Sequence, residues 1–367
     1  MGFAKNQYFE VECYYQAVIK HRYTKKVNRE QIIGWHGDKP RDILLELMYQ
    51  IRSLLMIIKE TKFGIDKYDM AIGADPICAY FVSLLKKLGL TRQTIYANYN
   101  DVTPRRSERR FFNQGYNYLV KYCLSNCDYV WYRWKKHRDE IIRKYGNIKE
   151  KNAVMVPIGV DIKKPDRLAS MESHTIVSAK NVSETAGLHL LIEIMPELAQ
   201  KIPDLKFIII GVGKYLSTLQ QMVKDKSLEQ HVYFLGQKPR SEVVDILSTC
   251  SIGYSLYLPT KYRKTMEIDT TMESIGGTTS TMEMLGVGLP VIATNGMGIS
   301  YEIEGYNAGV VIDWDKNELY NAVIDLFSDI SKYNTRSHNA IVLAQKYNWN
   351  NIYASALQGK SINMGTS

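Results

Sequence analysis

Residues 273–294, ESIGGTTSTMEMLGVGLPVIAT, decide how the rest of the chain is read. Gly276 and Gly277 free the backbone for a tight turn. Thr278, Thr279 and Ser280 carry side-chain oxygens suited to a helix cap, and the run from Pro290 to Ala293 is apolar enough for a buried strand. The order turn, short helix, strand predicts a phosphate site of the βα type. A helix N-terminus presents unpaired N–H groups and a partial positive charge, so a diphosphate can rest on Gly276, Gly277, Thr278, Thr279 and Ser280 while Glu283 reaches a sugar hydroxyl. The bland reading is a glycine turn that only precedes a helix.

Outward from this stretch the chain alternates strands and helices. In the first half, strands are expected over 69–73 and 94–98 with a helix over 79–88 between them, the βαβ order of a parallel sheet. In the second half, strands are expected over 174–178, 205–210, 231–236 and 309–313, with helices from Gly187 and over 317–329. Residues 8–20 alternate like a strand, and 21–40 are polar with turn residues. Leu44, Leu47, Met48, Ile51, Leu54, Leu55 and Ile58 form one helical stripe, expected to pack into a core.

The quoted stretch resembles the donor-binding motif of GT-B fold, nucleotide-sugar-dependent glycosyltransferases, above all the retaining family called group 1 or family 4. That motif reads Glu-(Ser/Gly)-Phe-Gly and then Glu-Ala-Met-Ala-x-Gly-x-Pro-Val-Ile. Glu273-Ser-Ile-Gly276 and the run from Glu283 to Ile292 follow it, with the two glutamates ten positions apart where the family has eight. Either two residues are inserted in the turn or Ile275 holds the first position. Further matches are Val154 to Asp161, the turn Gly211-Val-Gly213, the strand ending at Gly236 with Gln237 and Lys238 after it, and Gly296, Gly298 and Glu302.

The resemblance implies an α/β GT-B fold, with two Rossmann-like domains whose parallel sheets face a central cleft and a C-terminal helix crossing back to the first domain. The domains are expected at 1–165 (acceptor-binding, joined by a final helix at 347–361) and 166–346 (donor-binding), with a boundary near Pro165. It also implies roles. Glu283, Gly276, Gly277, Thr278, Thr279, Ser280, Gly211, Gly213, Gln237 and Lys238 would bind the donor, and Glu273, Asp75 and Lys180 would serve catalysis. Asp75 is the nearest polar residue where the family has a histidine, because the turn here is Ala74-Asp75-Pro76. Lys180 stands for the arginine of the family's phosphate clamp, and Ala186 stands where its lysine belongs. Lys261, Arg263 and Lys264, in an added polar loop, can supply the lost charge or be a solvated insertion.

Composition sets the outer bounds. The chain has 367 residues, 45% of them hydrophobic, enough for about two domains. Its five scattered cysteines form neither a disulfide framework nor a zinc spacing, so a reducing compartment is expected, and Cys123 and Cys127 read as helix neighbours. Glu267 and Asp269 superficially match an acidic metal motif, but one acidic pair is too little, so no metal is expected. No cofactor is expected beyond the nucleotide-diphosphate sugar, which is the donor substrate. The N-terminus lacks the succession of a signal peptide and no apolar run approaches ~18–20 residues, so a cytoplasmic protein, peripheral on the inner face of the cell membrane, is expected.

A formal charge of +9 favours anionic partners. Between residues 105 and 144, Arg105, Arg106, Arg109, Arg110, Lys135 and Lys136 interleave with Phe111, Phe112, Tyr116, Tyr118, Trp131 and Trp134. That pattern suits an anionic membrane surface or a solvated helix pair with buried rings. Nucleic acid is not expected, since no binding motif accompanies the charge. The expected function is sugar transfer from a nucleotide-diphosphate sugar to a glycan or lipid-linked acceptor, retaining and metal-independent. The alternatives are a non-catalytic GT-B subunit and a sugar-nucleotide 2-epimerase.

Overall fold

The computed structural model describes residues 67–99, 110–133, 135–146, 152–160, 170–259 and 279–361, with short pieces up to residue 61. The chain forms two compact units, which divide at Val156 and Pro157; the first also includes Tyr353–Ser361, and the second spans Pro157–Ile352. The expected boundary at Pro165 lies outside the described residues.

The first unit opens with β1 (Tyr15–Ala17) paired antiparallel to β2 (Arg22–Thr24), the latter inside the stretch read as polar turns. Helical positions follow between 48 and 59. Their apolar stripe was expected in a core, yet Met48, Ile51 and Leu55 are exposed at 57%, 46% and 61%. Periodicity shows that a helix has an apolar face but not what covers it. Four parallel strands then build the sheet in the order β3 (Tyr68–Gly73), β4 (Thr91–Asn98), β5 (Tyr129–Tyr132), β6 (Ala153–Met155). Between them lie α1 (Pro76–Lys87), α2 (Arg110–Asn126) and α3 (Lys135–Tyr145).

Helix α1 starts where it does for local reasons. Proline suits the first helical position, and the Asp75 carboxylate Oδ1 accepts the N–H groups of Ile77 and Cys78 at 2.8 and 2.9 Å. Gly73 is required by close approach, since a Cβ there would lie 2.4 Å from the Ala79 nitrogen. At the other end of the unit, Ser361 Oγ accepts the Met155 N–H at 3.0 Å.

The second unit carries a six-stranded, wholly parallel sheet in the order β12 (Gly309–Ile312), β11 (Val291–Thr294), β10 (Ile252–Ser255), β7 (Thr175–Ala179), β8 (Lys206–Ile210), β9 (Val232–Gly236). Counted from its first strand this is the doubly wound order 3-2-1-4-5-6, with the reversal between β7 and β10. The connecting helices are α4 (Leu188–Lys201), α5 (Leu216–Asp225), α6 (Arg240–Leu247), α7 (Thr279–Gly286) and α8 (Ser300–Gly305). After β12 come α9 (Lys316–Ser328), α10 (Ile330–Lys346) and α11 (Trp349–Leu357). The core gathers Ile176, Leu191, Ile192, Phe207 and Ile292, all fully buried, from strands and helices far apart in sequence.

Candidate functional site

Open parallel sheets bind ligands beyond the carboxyl ends of their strands, at the point where strand order reverses. In the second unit that point lies between β7 and β10, and Lys180, the first residue after β7, closes it. Its Nζ donates to the Leu256 carbonyl, just past β10, at 2.6 Å. The same ammonium sits 4.2 Å from the ring centroid of Tyr257 and 5.5 Å from that of Tyr254. The residue as a whole is half-buried, but its ammonium is enclosed by two rings and a carbonyl, and burial pushes it down to about 7. The expected clamp residue thus stands at the switch point with its charge turned onto the chain's own atoms. Ala186, in the short 3₁₀ turn Glu184–Ala186, is buried at 1% exposure and brings no charge.

The glycine turn after β8 has a packing reason. Gly211 has a φ of +140°, and a Cβ there would lie 2.0 Å from the Lys180 carbonyl oxygen; at Gly213 it would lie 2.1 Å from that of Val182. The two glycines let the backbone beside Lys180 lie against β8, where Lys180 N–H donates to Ile210 at 3.0 Å and Val182 N–H to Val212 at 3.0 Å.

Helix α7 holds Glu283, which is 7% exposed. Arg240, the first residue of α6, donates Nε to Glu283 Oε1 at 2.5 Å, while Oε2 receives no hydrogen bond among the described residues. Arg240 itself keeps 53% of its side chain exposed. Sequence reasoning missed Arg240. Its readable signal was a cation in the first turn of a helix, where the dipole favours an acid and some other charge must compensate. Two residues earlier, Thr281 Oγ1 and Ser255 Oγ share a buried hydrogen bond of 2.6 Å that ties α7 to the end of β10.

The remaining expected residues fall as follows. Gln237 is exposed, and Lys238 pairs with Glu242 one turn on at 3.3 Å. Thr279 is exposed and Ser280 half-buried at the start of α7. Glu273, Gly276, Gly277, Thr278, Lys261, Arg263 and Lys264 lie outside the described residues. Glu302 is 6% exposed and accepts from Lys346 Nζ at 2.7 Å and from the Tyr347 hydroxyl, so it joins α8 to the end of α10. Asp75 belongs to the first unit, where its Oδ1 is engaged in capping α1. In the basic, aromatic segment, Trp131 is buried at 1% exposure in β5 whereas Tyr118 on α2 is 69% exposed, so its described rings divide between core and surface. Cys123 and Cys127 are buried, with thiols directed at the Pro76 and Ala79 carbonyls.

Residues 160–341 match the family described as glycosyl transferases group 1. A GDP-mannose-dependent alpha-(1-6)-phosphatidylinositol monomannoside mannosyltransferase of Mycolicibacterium smegmatis is 28% identical over 186 residues, 47% of each protein. The chain spans about half the length of the curated relatives it matches. Among solved structures, HepE from Anabaena in complex with UDP superposes with a TM-score of 0.63 at 17% identity, covering 86% of this chain and 84% of that one. TarM from S. aureus, solved with UDP among its ligands, gives 0.59 at 18% identity, covering 85% and 59%. With parallel sheets in each of two units, the fold is GT-B. Among the described residues no helix is long and apolar enough to cross a membrane.

Proposed function

We propose that this chain is a glycosyltransferase that takes a sugar from a nucleotide diphosphate in its second unit and passes it to a glycan or lipid-linked acceptor. The observation that carries the reading is Glu283. It is a buried carboxylate on the helix after the switch point, with one oxygen held by Arg240 and the other open to a ribose hydroxyl. In this proposal the departing diphosphate rests on the N-terminus of α7 and the turn before it. Backbone N–H groups, the helix dipole and cations neutralise it there without an obligatory metal. Retention at the anomeric carbon is proposed with it, since the family resemblance implies attack on the face of departure, with the donor phosphate taking the acceptor proton. The name of the Mycolicibacterium relative makes GDP-mannose the first donor to try, and UDP in the two superposed structures makes UDP-sugars the second. Docking on the cytoplasmic face of an anionic membrane belongs to the same proposal, with Tyr118 exposed on α2 in the basic, aromatic segment.

A panel of GDP-, UDP- and ADP-sugars screened by thermal shift tests the reading, because ligand at about 100 times its dissociation constant stabilises by about 2.7 kcal/mol. One nucleotide class should raise the melting temperature with or without EDTA. No shift with any of them, or turnover only with divalent metal, overturns it. A donor-binding subunit without transfer is the second reading, favoured by the enclosed ammonium of Lys180 and the uncharged Ala186. Release of free nucleotide that requires an acceptor separates the two.

A further inference from the structure

In the second unit, the chain does not leave the sheet where β10 ends at Ser255. Leu256, Tyr257 and Leu258 continue along its carboxyl edge, and three elements hold them. The Tyr257 N–H donates to Oγ1 of Thr294, the last residue of β11, at 2.9 Å. The Leu258 N–H donates at 2.9 Å to the carbonyl of Thr185, in the short turn that follows β7. Lys180 donates Nζ to the Leu256 carbonyl at 2.6 Å. Leu256 and Leu258 are 0% and 2% exposed, so the segment is packed down rather than looped out. By reaching from β10 to the connection after β7, it spans the reversal of strand order, where an open parallel sheet takes its ligand.

The three ties are not alike. Two join a backbone N–H to a neutral oxygen, whereas the third sets a full charge against a carbonyl. Among the described residues Lys180 has no carboxylate within ion-pair distance. Its ammonium faces the Leu256 carbonyl and the rings of Tyr254 and Tyr257; the Tyr254 hydroxyl is turned to the Gly187 carbonyl, and Glu184, in the turn that holds Thr185, is exposed. Burial alone acts on its charge, and acts against it. A phosphate oxygen carries the opposite charge and forms a bond about twice as strong as a neutral one. The flexible four-carbon stem of a lysine lets one ammonium reach more than one acceptor.

We propose that Lys180 is a latch with two partners: it ties Leu256–Leu258 across the switch point through the Leu256 carbonyl, and it gives up that tie when a diphosphate takes its ammonium. Nucleotide binding is thereby coupled to the hold on this segment. The diphosphate rests on the reading of the second unit as a nucleotide site; the tie itself stands on the contacts above.

Hydrogen exchange in the full chain tests both halves, because the Tyr257 and Leu258 amides are the donors of the two neutral ties. Lys180→Met keeps an apolar stem and removes the charge. Without ligand, the two amides should exchange at least about tenfold faster in this variant, the loss of one charge-assisted hydrogen bond, while amides inside α9 keep their rates. In the wild type, saturating GDP, UDP or inorganic pyrophosphate should speed the same two amides several-fold, whereas a ligand that only covers the segment would slow them. Lys180→Met should show no such acceleration. Wild-type rates in Lys180→Met, or a bound nucleotide that leaves the two amides unchanged or slows them, overturn the proposal and leave the functional reading standing. Binding of no nucleotide and no pyrophosphate overturns the functional reading and the exchange of partners with it.

Discussion

Two half-buried cations stand just past strand ends, one in each unit, and they are treated differently. Lys180 follows β7 and Arg133 follows β5, each at the carboxyl edge of a parallel sheet and each over a tyrosine ring. Lys180 spends its ammonium on the Leu256 carbonyl and can yield its proton near neutral pH. Arg133 has no such outlet: its guanidinium lies over the Tyr99 ring with no ion pair among the described residues. A third cation, Lys346, shows the fully paired case, held to the buried carboxylate of Glu302. The comparison teaches that the position of a charge at a strand end is less informative than what already answers it.

The largest effect should come from breaking the paired case. Glu302→Ala leaves Lys346 and the Tyr347 hydroxyl without their acceptor, and removing one partner of a buried pair costs about 3–5 kcal/mol. Urea unfolding should show the lower midpoint with an unchanged slope. A loss under about 1 kcal/mol would place this pair with exposed ones and weaken the contrast.

Next in size is the carboxylate proposed to hold the donor, Glu283. Glu283→Ala should cost about 1.5–3 kcal/mol in nucleotide affinity, tenfold or more by calorimetry, because a charge-assisted bond to the ribose is lost. Arg240→Gln should weaken the same binding less, since Arg240 acts on the carboxylate through one hydrogen bond to Oε1. Equal affinity in Glu283→Ala would remove the donor site from α7.

Lys180 should set a pH dependence. Its folded pKa is about 7 against a usual 10.5, so between these values the unfolded chain holds a proton that the folded chain lacks. Stability therefore rises as pH goes from about 7 towards 10.5, by less than the ~1.4 kcal/mol per unit of a full proton difference because the side chain is partly open to solvent. Lys180→Met should flatten melting temperature against pH over that window. A slope unchanged in the variant would show that the ammonium is not the group responsible.

The smallest expected effect concerns the unanswered edge. Tyr132→Phe should alter stability by no more than a few tenths of a kcal/mol, because a hydroxyl without a partner contributes no bond to lose. A clear loss in thermal unfolding would mean that the hydroxyl is already satisfied, and the contrast between the two sheets would narrow.

Much of this was legible in the sequence. The apolar runs that became β3, β4, β7, β8, β9, β11 and β12, the helix expected over 79–88 that became α1 and the helix carrying Glu283 all follow from patterns a few residues long, whereas the start of α1 at Asp75-Pro76 reads as a turn. Short-range sterics and helix or strand period govern those features, so a single sequence contains them. Tertiary structure alone decided which side chains meet. Lys180 and Leu256 lie 76 residues apart, Arg240 and Glu283 lie 43 apart, and Asn98 faces Tyr132 only through the register of β4 and β5. The exposure of the stripe at Met48, Ile51 and Leu55 belongs with them, because burial depends on what the rest of the chain places over a face. Strand order, register and packing are long-range properties, and no local period encodes the partner that answers a charge.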